Sequence, residues 1–163
     1  MEIVMGTLGK ALGAAGGFIC GSGALIDYLV NRARSFIFST APVPAAAAAA
    51  AAALGIVRGP EGDERRRRLR QRVSQLRARL GEGCPEIPTA IVPVVLGPEG
   101  EAIRAAAELL GAGIYAPAIR YPAVARGSAR LRITLSATHS AEEVEQLANA
   151  VCRLRSGPRR GAF

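Results

Sequence analysis

Leu69, Val73, Leu76 and Leu80 recur at spacings of four, three and four residues in a run otherwise crowded with arginine. That period places four apolar side chains on one stripe of an α-helix and the guanidinium groups on its other faces. A chain carrying such a helix must offer the stripe another surface to pack on. Much of the net charge of +8 sits in this same run. Nucleic-acid binding is one reading of it. A solvated helix face is the other and is preferred here, because no aromatic side chains are interleaved to stack on bases.

The elements on either side can be read in order. Ile3-Val4-Met5 is a short apolar run ending at a glycine, as for a buried strand entering a loop, and Gly16–Gly21 is a second strand bounded by glycines. Ser22 is placed to cap a helix over residues 24–33. Phe36-Ile37-Phe38 is expected to be extended, followed by a loop to Pro44. From Pro44 to about Val57 the chain is almost all alanine, the strongest helix former, which predicts a tightly packed helix. Gly59-Pro60-Glu61-Gly62 interrupts or kinks it before a second helix over about 63–80, and residues 81–88 read as a linker.

The pattern then changes. Residues 90–96 are strand-like, with Pro93 favouring an edge or a bulge. Residues 99–110 read as a helix, and 114–119 and 129–135 as strands. Ser140-Ala141-Glu142-Glu143 forms a capping box for a helix ending near Arg153. This order predicts a small α+β domain with helices on one face of a sheet.

Half of the residues are apolar but few are aromatic, so the core must be aliphatic. Cys20, Cys84 and Cys152 are odd in number and lack a CxxC pattern; they read as small buried hydrophobes in a reducing compartment. The Ala45–Ala53 run is too short to span a bilayer, and the N-terminal residues do not have the form of a secretion signal, so a cytoplasmic location is expected.

Lys10 is the only lysine among 21 basic residues, and it lies in the glycine-rich stretch Gly6–Gly13. Replacement of lysine by arginine in a GC-rich genome would leave the same record, so the surroundings decide. A primary amine can lose its proton and attack a carbonyl, which a guanidinium cannot do. Gly6, Gly9 and Gly13 leave room for a cofactor ring beside the backbone, and Thr7, three residues before the lysine, is placed to reach a phosphate. The nucleotide-binding pattern GxxxxGK[ST] is not met, since Ala11 follows Lys10.

The stretch Thr7–Gly16 resembles the lysine-attachment pattern of class II pyridoxal-phosphate aminotransferases at every position. Phe36–Pro44 resembles the Phe-Ile-Tyr/Phe-Ser-Thr-x-x-Pro-Pro segment of the same superfamily. Ala118–Leu135 is similar to the Ile-Arg-Pro-Pro-Thr-Val-Pro-x-Gly-x-x-Arg-Leu-Arg segment of its α-oxoamine synthase branch. The likeness runs from Ile3 to about Leu154 and matches only the C-terminal part of those enzymes, somewhat under half.

The resemblance implies an α/β fold, the C-terminal portion of a fold-type I pyridoxal-phosphate-dependent transferase. Residues 1–58 would be a remnant of the large cofactor domain, 59–88 a linking helix and linker, 89–155 a small α+β domain and 156–163 a disordered tail. It implies pyridoxal 5'-phosphate as cofactor, a homodimer with shared sites, and an acyl transfer. In the biotin-pathway members this transfer joins L-alanine to pimeloyl-CoA or a pimeloyl-carrier protein; other members use glycine or serine. Lys10 would form the Schiff base and shuttle the proton at the substrate α-carbon. Thr7 would bind the cofactor phosphate, and Ser39 and Thr40 the phosphate in the neighbouring subunit's site. Arg132 would clamp the amino-acid carboxylate, the alternative being an ordinary exposed strand arginine.

Arg120 and Arg130 are read as structural, and His139 as the residue leading into the capped helix. Tyr121 and Ala125 stand where the family has prolines, which puts the shape of that loop in question. The family's aspartate at the pyridine nitrogen, its histidine on the ring and its acyl-CoA-binding residues all lie upstream of the lysine. A larger N-terminal part is therefore expected to complete the enzyme. A non-catalytic remnant that dimerises or binds nucleic acid is the reading from another class.

Overall fold

The computed structural model describes residues 2–81 and 89–156. The linker expected at 81–88, Cys84 and the tail therefore lie largely outside the described residues. The chain divides into two compact units, Met1–Asp63 and Glu64–Phe163.

In the first unit, β1 (Val4–Thr7) and β2 (Gly17–Cys20) form an antiparallel hairpin in which Val4 faces Cys20 and Thr7 faces Gly17. Helix α1 (Gly23–Arg32) starts where Ser22 predicts, with the Leu25 N–H donating to Ser22 Oγ at 3.3 Å. The next segment corrects the sequence expectation. Phe36 and Ile37 belong to a helical turn, α2 (Arg34–Ile37), and are not extended. Ile37 N donates to Ala33 O and Phe38 N to Arg34 O, both at 3.0 Å. Three strand-prone residues without a neighbouring strand satisfy their backbone groups locally, and the helical turn does so.

Helix α3 (Pro44–Arg58) carries Pro44 in its first turn, where the missing N–H costs nothing. Of its residues only Ala50 is buried, so the close packing expected of the alanine run is not realised among the described residues. Helix α4 (Pro60–Leu80) begins three residues earlier than the sequence implies, because Pro60 cannot continue the α3 ladder but suits the start of a new helix. The corner requires glycine at position 62: a Cβ there would lie 2.5 Å from Ile56 O and 2.6 Å from Val57 O.

The second unit is a three-stranded antiparallel sheet in the order β3 (Ile91–Gly97), β5 (Ala129–Thr134), β4 (Ala118–Ile119), with α5 (Glu99–Gly111) and α6 (Ala141–Ser156). Val92, Leu131, Ile133, Leu109, Val144 and Val151 are buried in its core. The arginine-rich helix supplies Val73, Leu76 and Leu80 to that core, with Leu69 packed at its margin, as the spacing requires. Its polar face is tied to α6 as well. Arg72 Nε donates to His139 O at 3.0 Å, Gln75 Nε2 to Ala141 O at 2.9 Å, and Arg79 pairs with Glu145 at 2.8 Å. The capping box is present: Glu143 N donates to Ser140 Oγ at 3.1 Å and Ser140 N to Glu143 Oε2 at 2.7 Å.

Two prolines shape the sheet. Pro93 lies on the edge strand opposite Arg132, whose own N–H turns the other way to Pro117 O at 2.9 Å. Pro93 thus occupies a non-hydrogen-bonded site, where the absent N–H would have pointed away from the sheet. Pro117 shortens β4. Residues 114–119 were expected as a strand, but only Ala118 and Ile119 pair with β5. Pro117 accepts from Arg132 N but has no N–H to return to Arg132 O, so the ladder stops there.

The cysteine expectation is corrected in part. Cys20 is exposed, because nothing in the first unit covers β2, and Cys152 is half-buried with Sγ 3.7 Å from Arg79 O. Among the described residues no helix is long and apolar enough to cross a membrane.

Candidate active site

Lys10 lies in the connection between β1 and β2, a loop pinned by its own backbone. Leu8 N donates to Gly16 O, Ala14 N to Leu8 O and Gly13 N to Lys10 O, each at 2.9 Å. Thr7 Oγ1 accepts from Gly9 N at 3.2 Å and donates to Gly16 O at 3.4 Å, bracing the loop at its base. Gly13 and Gly16 have φ of +60° and +103°, a region a side chain disfavours. Gly6 is required for another reason: a Cβ there would come within 2.6 Å of the Phe18 ring, so its space is taken by the chain itself. Lys10 and Thr7 are both exposed, and among the described residues nothing pairs with the Lys10 ammonium. The arrangement presents a primary amine and a hydroxyl on a short, hydrogen-bonded frame.

Ser39 and Thr40 lie on the exposed connection between α2 and α3, where Ser39 Oγ donates to Thr40 O at 3.3 Å. No hydrogen bond among the described residues links them to the hairpin. The Arg34 guanidinium lies over the Phe38 ring beside them, 5.6 Å from its centroid.

The remaining candidate, Arg132, belongs to the second unit. It projects from the exposed face of β5, with buried Leu131 and Ile133 turned the other way. It lines a cavity of about 680 Å³ together with Ile114, Tyr115, Thr134 and His139. Arg130 Nε donates to Ser128 O at 3.0 Å. Arg120 is exposed, and its carbonyl accepts from Ala123 N at 3.0 Å in the following turn. His139 leads into α6 as its place before the capping box implied: Nδ1 accepts from Ser136 N at 3.1 Å. The loop in which Tyr121 replaces a proline is held by the Arg126 guanidinium over the Tyr121 ring, 4.2 Å from its centroid. Sequence reasoning missed that pair and the grouping of Tyr115 and Thr134 with Arg132, because these contacts follow no short repeat.

The profile of the aminotransferase class I and II family matches residues 1–151. The chain is 50% identical to 8-amino-7-oxononanoate synthase of Bordetella petrii over 155 residues, covering 93% of this chain and 39% of that protein. It is 47% identical to the same-named protein of Methylococcus capsulatus, with the same two coverages. Among solved structures, SPT with PLP internal aldimine matches at 25% identity and a TM-score of 0.87, over 94% of this chain and 39% of that one. The 8-amino-7-oxononanoate synthase of Francisella tularensis matches at 27% and 0.79, over 93% and 45%. The chain thus spans about two fifths of the length of the curated relatives it matches. With a family profile matching nearly its whole length, it belongs to the aminotransferase class I and II family.

Proposed function

We propose that this chain is the lysine-bearing and C-terminal part of a pyridoxal-phosphate-dependent acyltransferase of the 8-amino-7-oxononanoate synthase type. The whole enzyme would join the α-carbon of L-alanine to the acyl carbon of a pimeloyl thioester. It would release the thiol and carbon dioxide and yield 8-amino-7-oxononanoate. The observation that carries the reading is the sole lysine, Lys10, exposed on a hydrogen-bonded hairpin in a chain that is 43–50% identical to several synthases of this name. Residues 1–58 would belong to the cofactor domain, 59–88 to the link and 89–155 to the small domain.

The residues fit the cofactor. A phosphorylated aldehyde needs a primary amine and a phosphate-binding hydroxyl, and Lys10 and Thr7 project from one pinned loop. The bound cofactor supplies an electron sink for the carbanion at the amino-acid α-carbon. The chain's own residues do the rest. Lys10 would hold the cofactor through its amine and would carry the proton at the substrate α-carbon. Thr7 would turn its hydroxyl proton from Gly16 O to a phosphate oxygen, and Ser39 and Thr40 would serve the phosphate of a neighbouring subunit's site in a homodimer. Arg132 holds the amino-acid carboxylate with its planar fork until that group leaves.

A serine-using synthase is the second reading, because the serine palmitoyltransferase of Sphingomonas wittichii aligns at a TM-score of 0.82. Its identity of 30% is well below that of the curated synthases, which favours alanine. The test is a condensation assay with alanine, glycine or serine and pimeloyl-CoA. The 163-residue chain alone is expected to turn over little, and addition of the N-terminal three fifths of the Bordetella petrii relative to give an alanine-dependent product. Serine-dependent product from the mixture, or no product with any amino acid, would refute the reading.

A further inference from the structure

A phosphate ester is close to doubly negative near neutral pH. The groups assigned above to the cofactor phosphate, Thr7, Ser39 and Thr40, are all neutral hydroxyls. Lys10 does not make up the charge there, because its nitrogen is committed to the aldehyde at another part of the cofactor. An anion drawn out of water is held best by charge-assisted hydrogen bonds, and an arginine fork suits phosphate oxygens. Besides Lys10, the cations of the first unit are Arg32, Arg34 and Arg58.

Of these, Arg34 shares a segment with the hydroxyl pair. It stands one helical turn before Phe38, the C-cap of α2, and its guanidinium lies over that ring, 5.6 Å from the centroid. Phe38 directly precedes Ser39 and Thr40. The ring is 77% exposed, so the pair is no part of a core; what the contact does is steady the guanidinium. A steadied side chain loses less entropy on binding, and its N–H donors remain available to an oxyanion. Arg34 is itself exposed, and among the described residues no carboxylate pairs with it. Arg32 and Arg58 sit instead in the last turns of α1 and α3, where a cation complements the helix dipole. Arg58 is also about 20 Å of helix beyond Pro44.

We propose that Arg34 is a phosphate-binding residue: steadied on Phe38, it donates alongside Ser39 and Thr40 to the cofactor phosphate in a neighbouring subunit's site. This rests on the acyltransferase reading and on its shared sites. The test titrates the chain, completed with the N-terminal three fifths of the Bordetella petrii relative, with pyridoxal phosphate and with pyridoxal, and reads both affinities by absorbance. Arg34→Gln is expected to weaken pyridoxal phosphate about tenfold or more and to leave pyridoxal, which has no phosphate, unchanged. Arg34→Lys, which keeps the charge but not the fork, is expected to fall between. Mixing Arg34→Gln chains with Lys10→Ala chains is expected to restore sites of full affinity, because each mixed dimer pairs one intact Lys10 with the intact Arg34 of the other copy. Equal weakening of both aldehydes, an unaffected Arg34→Gln variant or no restored sites in the mixture would each overturn the proposal. If the completed, unsubstituted chain bound neither aldehyde, the acyltransferase reading itself would fall, which none of those three results implies.

Discussion

Replacing Leu76 by alanine tests how the second unit is held together. Leu76 is fully buried on the α4 stripe, within the cluster that includes Val92, Leu131 and Val151. The change removes three carbons, roughly 0.8 kcal/mol each in transfer terms, or about 2.4 kcal/mol. The cavity left behind adds to this, so a loss of about 3–5 kcal/mol is expected. Leu69, on the same stripe but only partly buried at its margin, should lose about half as much or less on the same substitution. Urea unfolding followed by the amide signals of β5 reads both losses in the unit concerned. A Leu76→Ala loss under about 1 kcal/mol, or equal losses at the two sites, would show that the arginine-rich helix is not part of this core.

Three further outcomes follow from named contacts. Ser140→Ala removes the hydroxyl that caps Glu143 N and should cost about 1 kcal/mol, read by the same urea unfolding. Gly62→Ala drives a methyl onto the backbone of Ile56 and Val57 and should cost about 1–3 kcal/mol, seen as a lowered thermal midpoint by circular dichroism. The Glu64 carboxyl, held by hydrogen bonds from Arg67 and Arg68, is lowered to about 2 from an ordinary 4.5. A depressed acid stabilises the fold above its unfolded value, so this contribution is present above about pH 4.5 and is lost as the pH falls toward 2. Carbon-detected titration of the Glu64 carboxyl should show the low midpoint at low salt and a rise toward the ordinary value in 1 M salt.

The sequence made most of the second unit legible, because its elements carry their own signals. The stripe Leu69–Leu80, the capping box at Ser140 and the edge position of Pro93 each encode one local choice, and the structure uses all three. Failures came where a neighbour decides. Phe36-Ile37-Phe38 has strand residues but no strand to pair with, so it coils into a helical turn. Ile114–Ile119 has strand composition, but Pro117 withholds the hydrogen bond that would extend the ladder. Cys20 and the alanine helix have buried character, yet little in the first unit packs on them. At the site, the Lys10 loop could be read from one short motif. The companions of Arg132 could not, since Tyr115, Thr134 and His139 share its cavity only through the path of the chain around Pro117.

In the proposed function the amine of Lys10 is the group that captures the phosphorylated aldehyde. Pyridoxal phosphate is added to the chain, with the N-terminal three fifths of the Bordetella petrii relative, and the mixture is reduced with borohydride and mapped by peptide mass spectrometry. The expected result is one phosphopyridoxyl group on Lys10, absent from Lys10→Ala. Label found elsewhere, or none on Lys10 in the completed enzyme, would contradict it.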